Sequence, residues 1–432
     1  MTMEKPWMEI FLELTKIPHC SGETGALRRY LIDFAKRCGY RVESDEAGNV
    51  MAYGKNSRVT LQSHYDMVCI GRAPQIEVVT ESGWMRAVES SLGADNGMGV
   101  AMMLHLMQKG ANADFLFTND EEIGLIGAGA LELKIRTPFL LNLDSEELGK
   151  VYIGCAGGED VHCKKRIGFR RVSGGAWYTL TAEAPGGHSG VNIADPIPNA
   201  ITELASVVTK NPAMKIATIK GGERINAIPR HAEALVWMPD GVEPLGTNPS
   251  VTIQKSAAPR ETEVLDEERL AEALFGFAHG VRAWNRELDL PQSSINLAEV
   301  SLKEKEVRIS LSARSMANED LGRLVDQTVA GWEALGFECE REGKYPAWKP
   351  EINSFSEMVL KHYKEVCPGA SYAAIHAGLE CALFADRFRD LKIASIGPTI
   401  LDPHSDRERV DLESVEKVMN VVEAVIADLS SI

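Results

Sequence analysis

The chain has 432 residues, of which 44% are hydrophobic and 25% charged, enough apolar material for two or three packed domains and too much for a disordered chain. Lys+Arg 46 against Asp+Glu 62 leaves a formal charge of −16, and this surplus of carboxylates repels phosphate backbones and anionic lipid, so no nucleic-acid or membrane partner is expected. No apolar run approaches the ~18 residues that span a bilayer. Met1 to Glu13 is broken by Glu4, Lys5 and Glu9, and the eight cysteines are scattered with no C-x-x-C pair, so a cytoplasmic protein with reduced thiols is expected.

Taken in chain order, Leu27 to Cys38 carries Leu31, Ile32, Phe34 and Ala35 opposite basic residues, which predicts a helix. Short apolar runs at Val59–Gln62, Phe115–Thr118 and Phe139–Leu143 predict strands. Between the first two, Asn96 to Gln108 is rich in Gly, Met, Ala and Leu and predicts a buried helix. Strands alternating with helices imply an α/β sheet of parallel character. From about residue 170 to about 343 the style changes: strand-like Trp177–Ala182, Ala232–Met238 and Val307–Ala313 mix with helical Asn199–Lys210, Glu268–Val281 and Leu321–Leu335. The tail returns to the first style, with a strand at Leu391–Ile396, a break at Gly397-Pro398, and a helix over Leu412–Leu429 that has Glu413 and Ser414 near its start. The predicted organisation is one α/β domain in two segments, 1–169 and 344–432, interrupted by an α+β insertion at 170–343.

The chemistry collects at strand ends. Val59–Ser63 runs into His64-Tyr65-Asp66, Phe115–Asn119 into Asp120-Glu121-Glu122, and Phe139–Leu143 into Asp144-Ser145-Glu146-Glu147. In open α/β sheets the functional crevice lies outside the carboxyl ends of the strands, so these residues converge. Gly93-Ala94-Asp95-Asn96-Gly97, at the head of the buried helix, and Pro403-His404-Ser405, after the late strand, add an acid and a histidine. Taken singly, each is an ordinary turn residue or helix-terminal charge; repetition at three strand ends is what points to a site. Carboxylates that share a pocket raise one another's pKa unless a cation joins them. A mixed His and Asp/Glu set suits zinc and neighbouring divalent ions, and one Asp can bridge two metals.

At these residues the sequence resembles the M20 family of metallopeptidases, in its branch of PepD-like aminoacyl-histidine (Xaa-His) dipeptidases. The matching stretches include Ser63-His64-Tyr65-Asp66-Met67, Leu92-Gly93-Ala94-Asp95-Asn96-Gly97, Asn119-Asp120-Glu121-Glu122, Asn142-Leu143-Asp144-Ser145-Glu146-Glu147, Gly186-Gly187-His188-Ser189-Gly190, Asn226-Ala227-Ile228-Pro229, Ile375-His376-Ala377-Gly378-Leu379-Glu380-Cys381, and Gly397-Pro398 with His404-Ser405. They follow the family's order and cover nearly the whole chain. Tyr65, Ile70 and Asp406 depart from the pattern, and none holds a ligand position.

The resemblance implies a zinc-peptidase-like mixed sheet flanked by helices, an inserted α+β lid, and a homodimer formed through that lid. It implies two divalent metal ions, zinc first, with cobalt or manganese as alternatives. His64 and Asp144 would bind one metal, Glu122 and His404 the other, and Asp95 would bridge both. Asp66 would orient His64. Glu121 would be the general base that activates a metal-bound water, and His188 would donate to the oxyanion. Asn226, His376 and Arg314 would meet the substrate. The implied activity is hydrolysis of unblocked dipeptides of Xaa-His, β-Ala-His or broader type. The alternatives are another M20-type amidohydrolase (an N-acyl amino acid deacylase or a tripeptidase) and an inactive binding protein on the same fold. There is no G-x-S-x-G, H-E-x-x-H or phosphate-binding loop to support other hydrolytic chemistry.

Overall fold

The computed structural model describes residues 5–431 other than 247 and 268, so Met1, Glu4 and Glu268, all named above, lie outside the described residues. The chain divides into two compact units. One runs through Cys155 and resumes over Trp348–Ala374 and from Leu379 onward; the other comprises Ala156–Ala347 with Ile375–Gly378. Among the described residues, no helix is long and apolar enough to cross a membrane.

The first unit is built on an eight-stranded mixed sheet. Its strands lie in the order Arg41–Ser44, Val50–Tyr53, Asp114–Thr118, Val59–His64, Phe139–Asn142, Lys392–Ser395, Lys150–Cys155 and Ser371–Ile375. The central four run parallel, with His64 opposite Thr118, Gln62 opposite Asn142, and Ser395 opposite Asn142. Val59–His64 and Asp114–Thr118 are buried at every position, as parallel strands covered on both faces must be. The helix Ala94–Gln108 packs on Val59–His64 and on the first helix, Pro6–Leu14, while Ser354–Val366 and Leu412–Ser430 pack together. Asn353 caps Ser354–Val366 by accepting from the N–H groups of Phe355 and Ser356, and Asp411 caps Leu412–Ser430 by accepting from Glu413 N. Gly397 lets the end of the late strand meet the Asp144 loop, because a Cβ there would lie 1.5 Å from the Ser145 carbonyl oxygen.

The second unit is a nine-stranded antiparallel sheet that includes Ala176–Glu183, His231–Met238, Leu290–Lys303 and Glu306–Ser315. Its apolar core takes in Ile201, Leu204, Leu274, Leu321 and Val325 from the helices Ala200–Lys210, Leu270–Gly276 and Asn318–Glu333. The helix expected over Glu268–Val281 stops at Gly276, and Gly280–Asn285 instead pairs with Leu290–Lys303 as a strand. The buried helical spacing of Leu270, Ala271 and Leu274 runs out there, and Gly280 sits at φ +105°, outside the helical region.

The expectation of eight unpaired thiols is corrected by the structure. Cys20–Cys69 and Cys163–Cys339 are disulfide-bonded, across sequence separations of 49 and 176, while Cys38, Cys155, Cys367 and Cys381 take part in no disulfide among the described residues. The fold makes both pairs: Cys163 and Cys339 face each other on paired strands, and Cys20 bridges the chain at Met67.

Candidate metal centre

The parallel strands release their last residues at one edge of the first unit. His64 ends its strand. Beyond Thr118 the chain turns through Asp120, at φ +52°, to Glu121 and Glu122, and beyond Asn142 it reaches Asp144. Asp95 arrives in the first turn of Ala94–Gln108 with a non-helical φ of −83° and ψ of 108°, and His404 sits in a loop at φ +55°. His64 Nε2 stands 3.1 Å from Asp95 Oδ1 and 3.3 Å from Asp144 Oδ1. His404 Nε2 stands 3.0 Å from Asp95 Oδ2 and 2.9 Å from Glu122 Oε1. Asp95 thus turns one oxygen towards each histidine. The donor atoms of His64, Asp95 and Asp144 lie within 4.8 Å of one another, as do those of Asp95, Glu122 and His404, and those of His64, Glu121 and Glu122.

Asp66 supports this cluster from behind. Its main-chain oxygen is 3.0 Å and its Oδ1 3.4 Å from His64 Nδ1. Its carboxylate accepts from Ser21 Oγ at 2.8 Å and from the N–H groups of Glu121 at 3.0 Å and Glu122 at 3.3 Å. A proton held on Nδ1 leaves the Nε2 lone pair facing Asp95 and Asp144.

The donor set suits a divalent cation. Glu122 Oε1 and Asp144 Oδ1 are buried without a hydrogen bond although each lies within 3.3 Å of a histidine nitrogen, the geometry of atoms aimed at a common point rather than at each other. Burial pushes Glu121 well above the ordinary carboxylate range, with His64 opposing and Glu122 and Asp144 adding. Glu122 is lifted to about 7 by burial and then by Asp95. Burial opposes a charge on His404, but Asp95 and Glu122 outweigh it and raise its pKa to about 11. Carboxylates crowded this way are relieved by a shared dication, and the mixture with imidazole matches zinc-like ions better than magnesium or calcium.

The remaining expected residues lie in the second unit. His188 pairs with Ala227 in a two-residue ladder, and Ser189 N donates to the Asn226 carbonyl at 2.9 Å, so His188 and Asn226 are neighbours. The N–H groups of Gly190 and Val191 donate to His188 Nδ1 at 3.3 and 3.1 Å, which places the ring proton on Nε2. Arg314 lies across the strands from Ser294; its Nη1 donates to Tyr345 Oη at 2.7 Å, and its Nε is buried without a partner. Ser294 Oγ is 2.7 Å from His376 Nε2. Burial and then Arg314 lower the His376 pKa to about 3, so the ring is neutral. Gly190 joins these pairs: a Cβ there would lie 2.6 Å from the His376 carbonyl oxygen and 3.1 Å from His188 Cε1.

Three further carboxyl groups surround this cluster, and the sequence alone assigned none of them a role. Glu146 is pushed well above its ordinary range by burial, with Asp95 adding. Glu380, fully buried, accepts from Gln62 Nε2 at 2.5 Å and Thr118 Oγ1 at 2.7 Å beneath the strand ends. Glu408, buried in the His404 loop, accepts four main-chain N–H bonds from residues 92–95. Glu146 and Glu380 fall in stretches that carry the family resemblance; Glu408 gave no signal beyond its closeness to His404.

Comparison with known proteins places the chain and its fold in one family. The chain is 30% identical to the cytosol non-specific dipeptidase of Escherichia coli K12, over 95% of each sequence. The crystal structure of an aminoacylhistidine dipeptidase from Vibrio alginolyticus matches with a TM-score of 0.80 at 27% identity, covering 98% of this chain and 96% of that one. A tripeptidase from Staphylococcus aureus shares the fold, with a TM-score of 0.59 at 17% identity over 99% of this chain and 98% of that one. Residues 49–153 match the model of peptidase family M28, and residues 171–252 match the M20 peptidase dimerisation domain. With that domain in the second unit and a relative aligned over 95% of its length, the chain belongs to the M20 family of metallopeptidases.

Proposed function

We propose that this peptidase is a di-zinc dipeptidase of the cytosol, cleaving unblocked dipeptides of Xaa-His or broader type, and that it works as a homodimer formed through the second unit. The carrying observation is Asp95, whose two oxygens belong to two separate donor triads, His64–Asp95–Asp144 and Asp95–Glu122–His404. Divalent metal ions are what the family implies; two ions, with zinc favoured, are what a shared carboxylate between two histidine-containing triads supports. The dimerisation-domain match at 171–252 supports the homodimer, and the names of the E. coli and V. alginolyticus relatives support the compartment and the substrate class. In a reducing compartment Cys20–Cys69 and Cys163–Cys339 would stand as dithiols.

When bound, the two ions lower the pKa of water and polarise the scissile carbonyl. The chain's own residues do the rest. His64, Asp144, Glu122 and His404 would hold the ions, with Asp95 between them. Glu121 takes the proton of the attacking water and returns it to the leaving amine, work worth roughly 10²–10⁴ in rate. Asp66 fixes His64 and, through the main chain, the Glu121–Glu122 turn. His188, with its proton on Nε2, is the donor that the tetrahedral oxyanion calls for. Arg314, Asn226 and the neutral ring of His376 provide a charge and hydrogen-bonding groups for the substrate's terminal carboxylate.

The test is a substrate panel on purified protein whose metal has been assayed: β-Ala-His, Xaa-His and Xaa-Xaa dipeptides beside tripeptides and N-acetyl amino acids. Dipeptide turnover that chelation abolishes and zinc restores is the expected result. Faster turnover of N-acetyl amino acids or of tripeptides would replace the proposal with an alternative amidohydrolase.

A further inference from the structure

The segment that delivers Asp95 is held by a side chain from the far end of the sequence. Gly93 sits at φ +72° and the helix opens at Ala94, so the N–H groups around them have no partner within the helix. One carboxylate takes four of them. Glu408 Oε2 accepts from Leu92 N at 2.7 Å and Gly93 N at 3.0 Å, and its Oε1 accepts from Ala94 N at 2.7 Å and Asp95 N at 3.2 Å. The group is only 2% exposed, and the helix dipole adds to its attraction for an anion.

Glu408 also belongs to the loop that carries His404. That loop joins the strands Ile400–Leu401 and Arg409–Asp411, which pair with each other. Arg409–Asp411 pairs in turn with Trp84–Ala87, the strand that leads into the Asp95 segment. Within the loop Asp402 and His404 both take positive φ, +53° and +55°, a conformation that non-glycine residues keep only where surrounding structure enforces it. The two loops that Glu408 rivets together are those whose side chains meet at His404 Nε2 and Asp95 Oδ2, 3.0 Å apart.

We infer that Glu408 is a positioning residue for the metal pair: by joining the Asp95 and His404 loops it sets the spacing that allows Asp95 to serve both triads. This presupposes the two-metal centre proposed above. A carboxylate that only capped a helix would affect folding stability and leave metal binding alone, so metal binding is what distinguishes the two roles.

The test is equilibrium dialysis of the full-length protein with cobalt(II), together with electron paramagnetic resonance of the di-cobalt form. The variants are Glu408→Gln, which turns an amide NH2 towards main-chain donors, and Asn353→Ala, which removes a helix cap elsewhere in the same unit. Glu408→Gln is expected to keep one cobalt, to bind the second about 10–100-fold more weakly, and to lose the exchange-coupled signal of a bridged pair. Asn353→Ala is expected to melt earlier and still bind two. If Glu408→Gln binds both ions like the wild type, or if Asn353→Ala loses the second ion equally, Glu408 is a cap and nothing more. If Glu408→Gln fails to fold, Glu408→Asp, which keeps the charge on a shorter side chain, carries the same two outcomes. A wild-type protein that binds fewer than two ions would overturn the two-metal centre itself, a result separate from any behaviour of the variants.

Discussion

Replacing Glu121 by Gln changes one proton site and almost nothing else. The two side chains have the same shape, and the main-chain bonds that form the turn, Glu121 N to Asp66 Oδ1 at 3.0 Å and Glu122 N to Asp66 Oδ2 at 3.3 Å, do not involve the carboxyl group. Burial already pushes the Glu121 carboxyl well above its usual range, with Glu122 and Asp144 adding, so a neutral amide is no worse tolerated there, and the metal-free variant is expected to melt at or above the wild-type temperature. Metal content is expected to stay at the wild-type level, because Glu121 lies outside the two triads that contain Asp95. What disappears is the base of the proposed mechanism. A positioned base contributes roughly 10²–10⁴ in rate, or about 2.7–5.4 kcal/mol of barrier, so kcat on a dipeptide is expected to fall by at least about a hundredfold. The assay is steady-state dipeptide hydrolysis with metal content measured on the same sample. A kcat within tenfold of wild type at equal metal content would remove Glu121 from the mechanism, and loss of metal would make it a ligand instead.

Two further outcomes are expected. Burial foremost, with His64 opposing and Asp144 adding, lifts Glu380 from an ordinary 4.5 to about 8, so the folded chain keeps a proton that the unfolded chain loses above pH 4.5. The native state therefore binds more protons across that window, and stability declines as pH rises from about 4.5 to about 8, by about 1.4 kcal/mol per pH unit. Glu380→Gln should flatten this slope in urea unfolding of the metal-free protein at pH 5 and pH 7.5, and parallel curves would refute the assignment. If Arg314 binds the substrate carboxylate as proposed, Arg314→Met removes a charge-assisted bond worth roughly 1.5–3 kcal/mol, so kcat/KM on dipeptides should fall about 10–100-fold, chiefly through KM. Dipeptide amides, which lack the carboxylate, should be spared, and an equal loss on both substrates would mean that Arg314 does not read the terminus.

The candidate site was legible in the sequence where a strand delivered it. His64, Glu121, Glu122 and Asp144 follow apolar runs, and parallel pairing carries such run ends to one edge. Asp95 and His404 stood out by glycine and proline context and by resemblance. Glu408 was invisible, because its partners are main-chain N–H groups that no residue pattern encodes and its loop meets theirs only through tertiary pairing. The same blindness explains the cysteines: Cys163 and Cys339 are opposed by strand register, which spacing along the chain does not show. The helix overextended to Val281 failed for a third reason, since strand pairing with Leu290–Lys303 overrode local periodicity past Gly276.

The strand Lys392–Ser395 lies in the interior of the first unit's sheet, between Phe139–Asn142 and Lys150–Cys155. During synthesis, Ala156–Ala347 leaves the ribosome before that strand exists, so the unit begun second can finish first. Until the last stretch arrives, Phe139–Asn142 is a bare apolar border with half its hydrogen-bonding groups unclaimed, an invitation to pair with a neighbouring nascent chain. Truncations late in the sequence should therefore appear as aggregation in expression before they appear as lost catalysis.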